Sequence, residues 1–149
     1  MQPPVTLDTL MAEWANDSQV DATEPALELA KIGSLRAKYL KILAHHNLKT
    51  KQATSEYTKL KRVKWEYYSG DLNNPDDLKE HGWPPQMKKI LRQDVPMWLD
   101  ADPDLIKILM KKSYNQEIVD ACTDIIKELH SRTFQLKSFI EWQKFIGNQ

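Results

Sequence analysis

The last third of the chain decides its fold, and it reads DPDLIKILMKKSYNQEIVDACTDIIKELHSRTFQLKSFIEWQKFIG from Asp102 to Gly147. Asp102-Pro103-Asp104 is a strong helix start, because an early proline and first-turn acids suit the N-terminus of a helix. Almost no helix breaker follows before Gly147. The sequence therefore predicts one long C-terminal helix.

Apolar side chains recur along this helix in a 4-3 alternation, if Arg132 and Gln143 occupy two places of the seam. A second seam lies beside the first, so the apolar stripe is wider than one partner helix covers. We expect the helix to pack against its own chain and against another subunit, with an ordinary intramolecular core helix as the alternative. The predicted oligomerisation residues are Ile118, Cys122, Ile125, Leu129, Leu136, Phe139 and Ile140.

The rest of the chain also reads as helical, since it has only four glycines and long apolar patterns with helical spacing. Thr6 can cap a short helix that places Leu7, Leu10, Met11 and Trp14 on one face. Thr23, followed by Glu24 and Pro25, marks a second start. This second helix can run to Tyr68, or break into two near 45–47 or 50–54. The predicted fold class is all-α, with long amphipathic helices.

Turn-forming residues concentrate after Gly70, so 71–85 is predicted to be the main loop. Asn74-Pro75-Asp76-Asp77 can open one helical turn within it. Residues 86–93 read as a short amphipathic helix. Val95–Leu99 reads as an extended segment, at most an edge strand, because Pro96 interrupts it.

These patterns suggest a division into an acidic N-terminal arm and one helical domain. The arm covers 1–24 with its short helix, and the domain covers 25–149. Within the domain, 25–70 is the basic DNA-binding segment, 71–85 the loop and 86–149 the helical oligomerisation part.

Charge is distributed unevenly along a chain whose formal net charge is zero. Ten Lys and Arg lie in 31–68 with only Glu56 and Glu66, whereas 1–30 holds six acidic residues and no Lys or Arg. The basic run ends in KLKRVKWEYYSG, from Lys59 to Gly70. Cations interleaved with aromatics suit a phosphate backbone and unstacked bases. The predicted DNA-binding residues are Lys59, Lys61, Arg62, Lys64, Trp65 and Tyr67.

Two alternatives stay open for this segment. The basic stripe can be a solvated helix face, and Trp65, Tyr67 and Tyr68 can be core aromatics. On a continuous helix Arg62 and Lys64 also point about 200° apart. If both contact one strand, either the helix end is unwound or the strand passes between elements.

The sequence assembles no catalytic or metal site, since it lacks a phosphate-cradling glycine loop, HExxH, paired CxxC and a nucleophile elbow. We therefore expect no cofactor and no enzymatic activity. The single cysteine, Cys122, reads as a small buried hydrophobe. No apolar run approaches the roughly 20 residues that span a membrane, so a cytoplasmic protein without a membrane partner is expected.

Residues 62–70, RVKWEYYSG, resemble the basic-aliphatic-basic-apolar-acidic-YYSG motif of the UvsY recombination mediators of T-even-like bacteriophages. A short Met-Lys segment at 86–91 and the apolar C-terminal helix follow in the order seen in that family. The resemblance covers about residues 25 to 146 and is most specific at YYSG. This chain departs from the family by exchanging which of Arg62 and Lys64 is arginine, and by placing Trp65 at a usually aliphatic position.

The resemblance implies a non-catalytic mediator of homologous recombination and repair in the cytoplasm of an infected bacterial host. Such a protein binds single-stranded DNA, remodels or displaces the phage single-strand-binding protein and loads a UvsX-like recombinase. It also implies a ring-like homo-oligomer, a hexamer or heptamer held by C-terminal helices. The family's two DNA-contacting positions fall on Arg62 and Lys64.

A different interpretation of the same charges is a helical adaptor whose basic stripe binds an acidic partner protein. The acidic N-terminus can then cover that stripe in cis until DNA competes it away. Salt-dependent binding to an oligonucleotide without a partner protein distinguishes the two.

Overall fold

A computed structural model describes residues 5–86 and 88–148. Within these residues, five α-helices follow one another, with one 3₁₀ turn, Arg92–Asp94, before the fourth. They are α1 Leu7–Asp17, α2 Pro25–Ser69, α3 Pro75–His81, α4 Val95–Asp100 and α5 Pro103–Gly147. The described residues contain no strand, which confirms the all-α prediction.

The helices begin mostly where the sequence predicts. Thr6 caps α1, since its hydroxyl accepts a hydrogen bond from the Thr9 amide at 3.1 Å and the Thr9 hydroxyl accepts from the Thr6 amide at 2.9 Å. Asp102 caps α5, because its Oδ1 accepts from the Leu105 amide at 3.0 Å. Both predicted starts are confirmed.

α2 is one unbroken helix of 45 residues, so neither possible break occurs. Thr23 does not cap it: the Thr23 hydroxyl donates to Asp21 at 2.6 Å, while the first helical carbonyl is that of Glu24, which accepts from the Glu28 amide at 3.0 Å. The helix ends before Gly70, whose φ of 88° suits a glycine.

Two predictions between α2 and α5 are wrong. The first is the short amphipathic helix predicted over 86–93: residues 88–91 are not helical, and Met87 lies outside the described residues. The Val95–Leu99 segment is helical rather than extended, because Pro96 stands in the first turn of α4, where its missing N–H costs no helical hydrogen bond. Val95 and Leu99, four residues apart, then bury their side chains on one face.

The chain forms two compact units, and α2 and α5 contribute to both. The described parts of Met1–Leu48 and Asn115–Gln149 form the first unit, and Lys49–Tyr114 forms the second. The units do not follow the division suggested at residue 24, because α1 inserts the fully buried Leu10 into the core of the first unit.

In the first unit, α1 packs with α2 and α5 around a core that contains Tyr39. Five of the predicted oligomerisation residues lie in this core of their own chain: Ile118, Cys122, Ile125, Leu129 and Leu136. Arg132, placed in the seam by the sequence, donates to the Ser18 carbonyl at 3.0 Å. This placement agrees with the intramolecular alternative for these five residues.

Towards the end of α5 the apolar side chains emerge into solvent. Phe139 is exposed, and Ile140 is partly buried. Further exposed apolar residues on the same stretch are Phe134, Trp142, Phe145 and Ile146. Phe139 and Ile140 are thus the predicted oligomerisation residues that a second copy can reach.

The second unit has a smaller core of Val95, Leu99 and Leu105, against which Tyr57 and Leu60 of α2 pack. This core fixes which side of α2 faces inward and which faces solvent. Within the part of the chain that the structure describes, no helix is both long and apolar enough to cross a membrane.

Candidate nucleic-acid interface

The C-terminal half of α2 sorts the predicted DNA-binding residues onto different sides of the helix. Positions 53, 57, 60, 64 and 67 share one side at helical spacing; 53, 64 and 67 are buried, and 57 and 60 are partly buried. Positions 58, 61, 62 and 65 lie on a neighbouring side and face solvent. The structure therefore brings Lys61, Arg62 and Trp65 together, and separates Lys64 and Tyr67 from them.

An open groove of about 510 Å³ runs along the solvent side of α2. The residues that line it are Tyr57, Thr58, Lys61, Arg62, Trp65 and Glu66, and we call it the cationic groove. The Arg62 side chain is 84% exposed and Trp65 is 39% exposed. Lys61 Nζ lies 5.7 Å from the centre of the Tyr57 ring. Two cations and an accessible indole thus share one surface.

The positive charge of this groove is only weakly offset. Glu66 is its one acidic residue, and Glu66 Oε1 lies 4.0 Å from Arg62 Nε, the outer limit of an ion pair. An exposed pair of this kind has little net energy and leaves the guanidinium available to a ligand. Lys59 lies outside the groove, on a shallow surface shared with Glu56, Val63 and Ile108.

Lys64 is buried, with 5% of its side chain exposed. Its Nζ lies 3.0 Å from Asp102 Oδ2 and 2.9 Å from Asp104 Oδ2. The same ammonium group stands 4.0 Å from the centre of the Trp83 ring. The structure therefore surrounds Lys64 with protein groups and does not present it to solvent beside Arg62.

The two tyrosines of YYSG also form internal contacts. The Tyr67 hydroxyl donates to the Pro84 carbonyl at 2.6 Å, and the Tyr67 ring packs 5.2 Å from that of Trp83. The Tyr68 hydroxyl donates to Asp102 Oδ2 at 2.6 Å. Both rings hold the end of α2 against later segments, as the core alternative for these aromatics expected.

We call this group of side chains the Lys64 cluster. Its members are Lys64, Tyr67, Tyr68, Trp83, Asp102 and Asp104. Burial alone raises the pKa of Asp102, but hydrogen bonds from Tyr68, the Leu105 amide and Lys64 outweigh it and hold the pKa below its usual value. Burial and the Asp102 hydrogen bond raise the pKa of Tyr68. Asp102 is thus an ionised carboxylate at neutral pH.

The sequence missed three features of this region: Tyr57 and Thr58 as groove residues, Trp83 as a cation partner, and the burial of Lys64. The sequence did contain a signal for the burial of Lys64. Lys64 follows Leu60 by four residues and Tyr57 by seven, so it lies on the same side of the helix as these two apolar residues. α2 stays helical to Ser69, so the opposed directions of Arg62 and Lys64 are not reconciled by unwinding.

The N-terminal half of α2 has a different electrostatic environment. Lys38 Nζ lies 2.8 Å from Asp17 and 3.1 Å from Glu13, both on α1, and Lys31 Nζ lies 3.0 Å from Glu28. Burial lowers the pKa of Lys38, but hydrogen bonds to Asp17 and Glu13 outweigh it and raise the pKa. The acidic N-terminal segment therefore neutralises cations in the first unit.

No cluster of residues suited to a metal ion occurs in 5–86 or 88–148. Cys122 is buried in the first unit, and burial raises the pKa of its thiol to about 11. It remains a protonated thiol at neutral pH, which argues against a nucleophilic role.

An all-helical chain with an exposed groove of cations and aromatics has the features of a helical nucleic-acid-binding protein. A family model described as "Recombination, repair and ssDNA binding protein UvsY" matches residues 13–148. The chain belongs to the UvsY family. The resemblance drawn from RVKWEYYSG is confirmed, and the match begins twelve residues before the start expected from that resemblance.

Solved structures show the same fold. Crystal structures of the recombination mediator protein UvsY of bacteriophage T4 superpose with a TM-score of 0.82 at 22% identity in one lattice and 0.79 at 20% identity in another. The first alignment covers 97% of this chain and 99% of the T4 chain, and the second covers 95% and 98%. No sequence among the curated proteins matches this chain.

Proposed function

We propose that this protein binds single-stranded DNA through the cationic groove and acts as a non-catalytic recombination mediator. The observation that carries the proposal is the placement of Lys61, Arg62 and the exposed Trp65 indole on one surface. A single strand offers phosphates and unstacked base faces side by side, and this surface has a group for each.

Each step of binding follows from the groove's chemistry. Lys61 and Arg62 replace counterions on the phosphates, which gives a log-log salt slope of about −0.7 for each phosphate neutralised on a single strand. A base stacks on Trp65 and contributes about 1–3 kcal/mol without regard to its identity. Lys59, on the adjoining surface, extends the positive track along α2. In a duplex the base faces are covered, so single strands are preferred.

The mediator role follows from family membership and from the kind of complex that such a groove forms. The groove holds the strand extended by its phosphates and stacked bases. The protein thereby displaces or remodels the single-strand-binding protein and loads a UvsX-like recombinase onto the strand. The reaction needs binding and release rather than bond chemistry. The setting is the cytoplasm of the infected bacterium.

Assembly multiplies the groove. We propose a hexameric or heptameric homo-oligomer, held through the end of α5, where Phe139 and Ile140 adjoin exposed Phe134, Trp142 and Phe145. Several weak sites on one particle then bind a long strand by avidity, because each contact after the first is intramolecular.

The test is fluorescence anisotropy of labelled oligo(dT) titrated with the protein over a salt series. Replacing Lys61 and Arg62 by alanine is expected to weaken binding and to reduce the steepness of the salt dependence by about 1.4, the loss of two phosphate contacts. Unchanged affinity at low salt would reject the groove as the site.

A matched control removes the same charge elsewhere. Lys41 and Lys137 are exposed and belong to the first unit, so replacing both by alanine is expected to leave the salt slope close to that of the unaltered protein. Light scattering of both variants checks that particle size has not changed. Binding by the isolated protein also decides against an adaptor that needs an acidic partner.

A further inference from the structure

Lys64 occupies the position at which the resemblance implies a DNA contact, yet its ammonium group is already fully engaged inside the protein. Two carboxylates lie within 3.0 Å of Nζ and the Trp83 ring covers it at 4.0 Å. Moving this group to a phosphate would leave the buried Asp102 carboxylate without a cation, with only the Tyr68 hydroxyl and the Leu105 amide as donors, which is costly. We infer that Lys64 is a positioning residue that fixes the groove-bearing end of α2, and that it does not contact the strand.

The cluster holds the last turns of α2 from one side. Lys64, Tyr67 and Tyr68, spaced three and four residues apart, connect this side to Asp102, Asp104 and the Trp83-Pro84 segment. The backbone caps the helix end itself, since the Glu66 and Tyr67 carbonyls accept from the Leu72 amide at 3.0 Å and the Gly70 amide at 3.3 Å. The side-chain contacts of the cluster add to this cap by fixing the last turns of α2 against the start of α5 and the Trp83-Pro84 segment.

The groove residues occupy the same turns. Trp65 follows Lys64 directly, and Arg62 precedes it by two residues, so both depend on the helix that Lys64 holds. The two sides belong to one helical segment. If the inward contacts are loosened, the segment moves more, and the Trp65 indole and the Arg62 guanidinium occupy a wider range of positions. Lys64 thus affects strand binding through Arg62 and Trp65, which is the sense in which it positions the site.

This inference rests on the proposed function, and the same salt series tests it. Lys64→Met is expected to weaken oligo(dT) binding about tenfold, because the stacking and guanidinium contacts are then only partly formed, while the salt slope stays unchanged since no phosphate contact is lost. Affinities are measured well below the melting temperature, where the variant is folded. A merely structural role would leave the affinity of the folded protein unchanged, which would overturn the inference.

A second substitution separates positioning from direct contact. In Lys64→Met with Asp102→Asn, the unpaired buried charge is removed, while the amide oxygen can still cap α5 at Leu105. Binding is expected to recover to within about threefold of the unaltered protein, with its salt slope. If Lys64 touches a phosphate, the double variant stays weak and its slope falls by about 0.7.

The double variant tests the inference even if Lys64→Met does not fold. It also lacks the Lys64 charge, so an unchanged salt slope of oligo(dT) binding supports the positioning role and a reduced slope overturns it. Failure of the proposed function looks different, because the unaltered protein would then not bind oligo(dT) at low salt at all.

Discussion

The two halves of α2, 25–47 and 48–69, carry four and six cations and use them differently. In the N-terminal half, Lys31 and Lys38 are paired with acidic residues of the same unit. In the C-terminal half, Lys61 and Arg62 line an exposed groove, and only Glu66 at 4.0 Å from Arg62 offsets them. Counting charge along the sequence does not distinguish these cations, whereas the fold pairs Lys31 and Lys38 with carboxylates and leaves Lys61 and Arg62 available to a ligand.

Lys64 lies in the C-terminal half of α2, but it is paired with carboxylates, as Lys31 and Lys38 are in the N-terminal half. Its two carboxylate partners come from the start of α5, nearly 40 residues later in the chain. A cation is therefore available to DNA because of which side of α2 it occupies, and not because it belongs to the basic run. Substitutions on the two sides of α2 should therefore have different effects on stability and on DNA binding.

Asp102→Ala is expected to have the largest effect on stability, about 3–5 kcal/mol, since it leaves the buried Lys64 with only the half-exposed Asp104 as a carboxylate partner. It also removes the cap of α5 and the acceptor of the Tyr68 hydroxyl. Thermal or urea denaturation followed by circular dichroism measures the loss. Asp100→Ala, an exposed neighbour at the end of α4, is the control, and an equal loss in both variants would contradict the cluster's role.

Trp65→Leu is expected to weaken oligo(dT) binding by about 1–3 kcal/mol, because a leucine keeps apolar volume but cannot stack on a base. The salt slope should stay unchanged, since no charge is removed. Tyr114, an exposed aromatic side chain of α5 outside the proposed assembly surface, offers the control Tyr114→Leu. An equal loss of oligo(dT) affinity in both variants would show that stacking is not confined to the groove.

The fold was largely predictable because its main determinants are local. The Asp102-Pro103-Asp104 start, the uninterrupted stretch to Gly147 and the Thr6 cap each act over a few residues. α4 was not predictable in this way, because Pro96 is compatible with either an extended edge or a first helical turn. The burial of Val95 and Leu99 against Leu105 decides between them, and that contact is tertiary.

The candidate site was predictable in composition but not in arrangement. KLKRVKWEYYSG predicts a binding site at the end of α2, and the cationic groove there contains Lys61, Arg62 and Trp65. The inward direction of Lys64 and Tyr67 depends on Trp83, Pro84 and Asp102, whose proximity no local pattern reveals. Spacing from Leu60 hinted at it, but a lysine is rarely buried unless it is paired.

Acidification is expected to destabilise the protein, and Asp102 is one cause. Its pKa in the folded protein is lowered, so its stabilising contribution is complete above the unfolded value of about 3.9 and is lost as pH falls through the folded value. Stability measured by urea denaturation should therefore decrease below about pH 4. Asp102→Asn should show a shallower decrease over the same range. An identical pH profile in both proteins would show that Asp102 is not linked to folding.

The smallest effects come from a matched pair of lysines, one in each half of α2. Lys38→Met removes a partly exposed ion pair with Asp17 and Glu13, so stability should fall by about 0.2–1 kcal/mol while DNA binding is unaffected. Lys61→Met removes a groove cation, so stability should change little while the salt slope of oligo(dT) binding falls by about 0.7. The pair is measured by urea denaturation and by anisotropy under the same buffers. If Lys38→Met changed the salt slope and Lys61→Met did not, the assignment would be contradicted. DNA would then contact the lysine that the structure pairs with Asp17 and Glu13, and not the lysine that it exposes in the groove.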